Sequence, residues 1–217
     1  MSAEPLVRRG EAKRTRILDA AGHLFAEQGF DGTGIDEIAK KAGVNKAMLY
    51  YYIGDKATLY GAVITDFIQR LRAEVERRLT EIEDPREKIR VVQSTYFEMF
   101  CNEPHFPQLM QRELANRGGR LPVEALTSLT AVMGITQAIV EEGRRAGLFR
   151  EVHPLIAHLL LVAGAMFLVN GQYLRARLEG EGLVPSHVPT DVRSLSGPLV
   201  DVILHGISAS KCSGDSE

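Results

Sequence analysis

Cysteine is nearly absent. The two residues, Cys101 and Cys212, stand far apart, so no disulfide framework is implied and a reducing compartment is expected. A long apolar run is missing as well. The most apolar stretch, Leu155 to Val169, contains His158 and Gly164 and falls short of the ~20 residues of a bilayer span. It reads as a buried helix, and no membrane is expected. The N-terminus, Met1-Ser2-Ala3-Glu4-Pro5, leads into charged residues without an apolar segment of the secretory kind. Asn-x-Ser/Thr does not occur, so glycosylation has no support. These absences point to a soluble cytoplasmic protein. An excess of one charge is also lacking: Lys+Arg is 26 and Asp+Glu is 28, for a net charge of −2. That balance gives no global sign of nucleic acid, although a sum can hide a local patch.

Catalytic signatures are missing too. No Gly-rich phosphate loop, HExxH or GxSxG occurs. His153 and His158 would lie about 140° apart on a helix, and Pro154 leaves His153 only a cap position, so a metal pair is not expected. Cys101 lies near His105, but Pro104 disrupts the i,i+4 geometry that a thiol sensor would use. The chain reads as a non-enzyme with no cofactor and no metal.

What is present is a helical rhythm. Of 217 residues, 45% are apolar and 25% charged, an ordinary globular composition. At ~150 residues per domain that allows one or two domains. Strict alternation never persists and hairpin signals do not occur, so the expected fold is all-α, with about nine helices. Ile17, Leu18, Ala21, Leu24 and Phe25 mark one face of a first helix. Gly29 ends it, and Phe30 can fold back on the apolar face. Thr33 stands three residues before Asp36, the spacing of a capping box with Asp in place of Glu. A short helix through Ile35, Ile38 and Ala39 stops at Gly43. Asn45 caps a second, through Met48, Leu49 and Tyr52, which Gly54 ends. Asp55 caps a long helix from Lys56 towards Leu79, closed by Asp84-Pro85. Further helices are predicted from Arg86 to about Cys101, Gln108 to about Asn116, Pro122 to Gly147, Pro154 to Leu178, and from Ser196 through Ile207. Gly180 to Thr190 reads as a loop and Lys211 to Glu217 as a polar tail.

The stretch from Ile35 to Ile53 fits a helix-turn-helix. Ala39 is small enough for a helix crossing, Gly43 suits a turn needing positive φ, and Val44 and Leu49 are the buried anchors. The other face of the second helix carries Lys46, Ala47, Met48, Tyr50, Tyr51 and Tyr52. Consecutive positions point ~100° apart, so three adjacent tyrosines cannot all be core. DNA binding and a plain helical hairpin with surface tyrosines both fit this pattern. The first sixteen residues add five basic side chains (Arg8, Arg9, Lys13, Arg14, Arg16) against Glu4 and Glu11. That leader suits either phosphate contact or a frayed polar terminus. Lys40 and Lys41 read as a solvated face.

Residues 14–64 resemble the N-terminal domain of the TetR family of transcriptional repressors. The matching text is Arg16-Ile17-Leu18-Asp19-Ala20-Ala21, Leu24-Phe25-Ala26-Glu27-Gln28-Gly29-Phe30, Thr33, Ile38-Ala39-Lys40-Lys41-Ala42-Gly43-Val44, and Leu49-Tyr50-Tyr51-Tyr52-Ile53 with Lys56 and Leu59. Gly34, Met48, Ile53, Ala57 and Thr58 depart from the usual pattern, and Met48 alters a base-facing position. The resemblance implies a DNA-binding domain over residues 1–55 and a ligand-binding and dimerisation domain over 56–217. It implies that Asn45 to Tyr52 enter the major groove. Lys46 then faces guanine or phosphate, Ala47 and Met48 thymine methyls, and Tyr50, Tyr51 and Tyr52 the phosphates and groove wall. Thr33 and Lys56, at helix N-termini, meet phosphates.

The same resemblance implies a homodimer on palindromic operator DNA, because one recognition helix reads only a few base pairs. Leu155 to Val169 is apolar around most of its circumference, too much for one buried face, and with Leu199 to Ile207 it is the candidate dimer contact. Phe97, Phe100, Phe106, Met110, Met133 and Phe167 are the candidate lining of an inducer cavity, although such residues also suit plain core. Glu98, Glu103, Glu113 and His105 are candidate polar contacts, and an inward Glu98 or Glu113 would suit a cationic ligand. The function expected is that of a ligand-responsive repressor. An architectural or redox-responsive DNA-binding protein without an inducer is the alternative.

Overall fold

The computed structural model describes residues 4–183 and 191–209. The 184–190 part of the expected loop, the tail with Cys212, and the side chains of Arg8 and Arg9 lie outside the described residues. Among the described residues the fold is all-α, with ten α-helices and one 3-10 turn, Val192–Leu195. The helices are α1 (Glu4–Gly32), α2 (Ile35–Ala42), α3 (Lys46–Ile53), α4 (Lys56–Leu79), α5 (Pro85–Asn102), α6 (His105–Ala115), α7 (Val123–Arg145), α8 (Pro154–Asn170), α9 (Gln172–Gly180) and α10 (Ser196–Ile207). The chain forms two compact units. Unit 1 comprises Met1–Arg70 and Glu103–Ser128; unit 2 comprises Leu71–Asn102 and Leu129–Glu217.

In unit 1 the predicted stripe of Ile17, Leu18, Ala21, Leu24 and Phe25 is buried, together with Leu59, Tyr60, Val63, Ile64 and Phe67 of α4. Helix α1 is broken at Gly29 (φ 77°, ψ 174°), and beyond the break Phe30 folds back to stack on Phe25, ring centroids 6.0 Å apart. Helix α6 is tied to this core. Phe106 stacks on Phe67 at 3.7 Å between centroids. The Arg112 guanidinium donates to the carbonyls of Ala26 (3.0 Å) and Glu27 (3.1 Å), which the break at Gly29 leaves without helical partners. The Tyr60 hydroxyl donates to the buried Glu113 carboxylate at 2.5 Å. Glu113 does face inward, as an acidic ligand contact would require, but its charge is already engaged.

In unit 2, α5 packs on α8 and α10. Ile89, Val92, Tyr96, Phe97 and Phe100 of α5 are buried, against Leu161 and Ala165 of α8 and Ile203, Leu204 and Ile207 of α10. His153 is the N-cap of α8, its Nδ1 accepting from the Leu155 amide, and Pro154 occupies the first turn. The predicted continuous helix from Pro154 to Leu178 is corrected: it divides into α8 and α9, bent by 42° at Gly171. A Cβ at Gly171 would lie 2.9 Å from the Phe167 carbonyl oxygen and 3.0 Å from the Arg175 guanidinium. That guanidinium donates to the Leu168 carbonyl at the bend. Helix α7 is long and apolar enough to cross a bilayer by length and composition alone. Its buried Val132, Thr136, Ile139 and Val140 give it the one-sided pattern of a bundle helix.

Candidate nucleic-acid interface

The turn between α2 and α3 is set by Gly43, which adopts φ 66°, ψ 36°. Its amide donates to the Lys40 carbonyl at 3.2 Å, and the Val44 amide reaches back to Ala39 at 3.0 Å. This is a Schellman closure, in which the left-handed residue costs little only as glycine. Ala39 is buried at the crossing and Leu49 is fully buried, whereas Val44 is half-buried. Asn45 opens α3 as predicted, its Oδ1 accepting from the Met48 amide at 2.7 Å.

With Leu49 alone buried on α3, the rest of the helix is presented outward. Tyr51 is 85% exposed and Tyr50 46% exposed, while Tyr52 is half-buried with its ring edge-on to Tyr51 at 5.3 Å. Ala47 is exposed and Met48 half-exposed. Lys46 is exposed and pairs with Asp36 of α2 at 2.9 Å, and that carboxylate raises the Lys46 pKa. Asp36 is a partner that sequence spacing did not indicate, since the two residues lie on different helices. Lys40 and Lys41 are exposed, as expected of a solvated face.

One expectation changes. Thr33 is not a cap: the N-cap of α2 is Gly34, without a side-chain hydrogen bond. Thr33 is buried, its hydroxyl lying 2.7 Å from the Gly29 carbonyl and 3.1 Å from that of Leu24. The break in α1 leaves the Gly29 carbonyl in need of a donor, and this demand outweighs capping. Its side chain is therefore not offered to DNA. Lys56 is half-buried, with its ammonium 4.7 Å from the centre of the Phe30 ring. The α4 N-terminus beside it is capped by Asp55, which accepts from the Thr58 amide at 2.7 Å, and that bond lowers the Asp55 pKa.

A sequence profile described as bacterial regulatory proteins, tetR family, matches residues 17–63, and one described as tetracyclin repressor-like, C-terminal domain, matches residues 85–197. The chain belongs to the tetR family. Among its relatives is the HTH-type transcriptional repressor NicS of Pseudomonas putida, 30% identical over 171 residues, which span 76% of this chain and 79% of NicS. Another is the fatty acid metabolism regulator protein of Bacillus subtilis, 27% identical over 143 residues, 64% of this chain and 72% of that protein. Among solved structures, the transcriptional regulator FadR of Bacillus subtilis in complex with stearoyl-CoA has the same fold. It superposes with a TM-score of 0.72 and 21% identity, covering 89% of this chain and 98% of FadR. This tetR-family protein is a DNA-binding transcription regulator.

The candidate ligand residues of the regulator fall in both units. Phe97 and Phe100 are buried in unit 2, and Met133 is half-buried there. Phe106 and Met110 are buried on α6 in unit 1. Phe167 is 72% exposed, and its expected interior place is corrected to the open side of α8. Glu98 pairs with Arg78 at 2.7 Å, and Glu103 with Arg70 at 2.5 Å. His105 is buried against His23 with ring centroids 4.3 Å apart. Burial pushes the Cys101 thiol above its ordinary value, opposite to what a reactive redox thiol needs. The polar residue that the sequence reading passed over is Gln93, fully buried in the middle of the apolar face of α5. A glutamine four residues before Phe97 and three before Tyr96 was the available signal.

Proposed function

We propose that this regulator is a repressor that binds a palindromic operator as a homodimer and is released by a small-molecule inducer. Residues 1–55 carry the DNA contact and residues 56–217 the ligand and dimer contacts. The observation that carries the reading is the exposed Tyr50–Tyr51 face of a helix anchored only through Leu49. Lys46, Ala47, Met48 and Tyr52 complete the surface for the groove, with Asn45 setting the helix start. Lys56 serves the phosphates from the side, whereas the buried Thr33 makes no contact with DNA. Dimerisation is supported by the open face of α8, where Ile156, Leu159, Leu160, Ala163 and Phe167 recur at helical spacing and are exposed. An acyl-bearing inducer is supported by the stearoyl-CoA bound in the FadR structure. The protein acts in the cytoplasm, where operator DNA is.

The test is selection of bound duplexes from a random pool, followed by anisotropy titration of the selected DNA. The expected result is an inverted repeat bound by a dimer, with affinity falling steeply as salt rises. Indifference to every duplex at modest ionic strength overturns the reading.

A further inference from the structure

Gln93 is fully buried in unit 2, and neither its amide nitrogen nor its amide oxygen has a hydrogen-bond partner among the described residues. Buried amides are ordinarily satisfied, and one left with both ends empty in a core is an exception that asks for a cause. Its surroundings narrow the cause. Gln93 shares a face of α5 with Tyr96, Phe97 and Phe100, at i+3, i+4 and i+7, and all three are buried. Of the other buried polar groups of unit 2, those of Thr95, Thr136 and His158 are engaged, whereas the Tyr96 hydroxyl and both amide atoms of Asn170 also lack partners among the described residues. Thr95 donates to the Val91 carbonyl at 2.7 Å, and the Thr136 hydroxyl meets His158 Nδ1 at 3.1 Å. The Tyr96 ring stands edge-on to His158, with its hydroxyl beside Thr136 but without a formed hydrogen bond.

None of these buried polar side chains carries a full charge: desolvation keeps the His158 imidazole below its ordinary pKa, hence neutral near neutral pH. A carboxylate or ammonium brought here would lose its hydration without a counter-charge. An uncharged carbonyl would lose little and would receive the Gln93 N–H. Phe97 also lines a cleft of about 130 Å³ with Ser94, Glu98, Cys101, Arg193 and Ser196, a lining in which Gln93 has no part. Ligand sites hold roughly 300–1,000 Å³, so a ligand that reaches Gln93 has to open the core of unit 2.

We propose that Gln93 is the polar anchor of an inducer site in unit 2 and takes the uncharged carbonyl of an otherwise apolar ligand, an amide, ester or thioester, with Phe97 and Phe100 flanking its chain. This rests on the inducer reading above and adds to it the ligand's chemical class and the residue that recognises it.

The test uses the full chain with decanamide, methyl decanoate, the S-methyl thioester of decanoic acid and sodium decanoate near neutral pH. Binding is followed by calorimetry and thermal shift, and operator release by anisotropy. The neutral carbonyls are expected to bind about tenfold more tightly than decanoate, and Gln93→Met to lose about tenfold for them. The same variant, freed of an unsatisfied amide, is expected to unfold roughly 2–4 °C higher without ligand. Gln93→Leu serves as the second variant. The proposal is overturned if decanoate binds as well as the amide, if Gln93→Met keeps full affinity, or if both variants unfold lower or fail to fold, which is the mark of a structural hydrogen bond. Absence of binding by every neutral probe also overturns it, whereas operator release by some other compound would leave the inducer reading standing. Binding of a neutral probe without operator release does the reverse.

Discussion

Tyr51 projects from a helix that keeps only Leu49 in the core, so its ring contributes little to folding. Tyr51→Ala should leave the denaturation midpoint unchanged and weaken operator binding. One lost hydrogen bond of about 1 kcal/mol in each half-site amounts to about 30-fold for a dimer, read by anisotropy. Lys56→Ala should differ, because the ammonium also sits over Phe30. It should lose operator affinity and about 0.5–1 kcal/mol of stability together. Thr33→Val, at a buried hydroxyl serving two carbonyls, should cost about 1–2 kcal/mol in chemical denaturation. The buried imidazoles set a pH dependence. His105 is depressed first by desolvation and then by His23, with Glu103 and Asp19 opposing and Arg70 adding to the depression. Below the ordinary histidine range of about 6.5 the unfolded chain binds the proton more readily than the native one. Stability should therefore fall from about pH 7.5 to about 5.5. His105→Gln should flatten that slope, as seen in melting midpoints across the range.

At the scale of the element, the recognition unit was legible because each of its parts has a local cause. Gly43 closes the turn, Asn45 caps, Leu49 anchors, and three adjacent tyrosines cannot all be core. Gly43→Ala forces a Cβ into the left-handed region and should cost about 1–2 kcal/mol. Because the same residue sets where α3 leaves α2, operator affinity should drop by more than the loss of folded protein explains. The features that sequence did not disclose arise between elements. Thr33 looked like a cap by spacing, but the broken end of α1 uses its hydroxyl instead. Lys46 looked free until α2 supplied Asp36. The bend at Gly171 is set by close approach of Phe167 and Arg175 to a backbone without a Cβ, not by helix propensity. The aromatic and methionine residues named for a cavity were chosen by residue type, and type does not say which helix packs where. Burial then separated Phe97 and Phe100 from Phe167 and drew attention to Gln93.

For the whole molecule, the proposed operator recognition turns on a second copy. One α3 offers three or four side chains to base edges, which is too few to single out a site among a genome's competing sequences. Two half-sites ~34 Å apart require two recognition helices held at a fixed spacing. The face of α8 bearing Ile156, Leu159, Leu160 and Phe167 is exposed, and its opposite face, with Ala157, Leu161, Ala165 and Val169, is already in the core of unit 2. Changing the outer face should therefore touch assembly and spare folding. In the double variant Leu159→Glu, Phe167→Glu, the carboxylates would have to be desolvated in any interface built there, a cost of several kcal/mol per ion. The variant should run as a monomer in light scattering at concentrations where the native chain is a dimer, with an unchanged circular dichroism spectrum. Its operator affinity should fall to that for an isolated half-site, a loss of ~10²–10⁴-fold, as expected when linked binding is abolished. A variant that stays dimeric with full operator affinity would move the assembly surface away from α8.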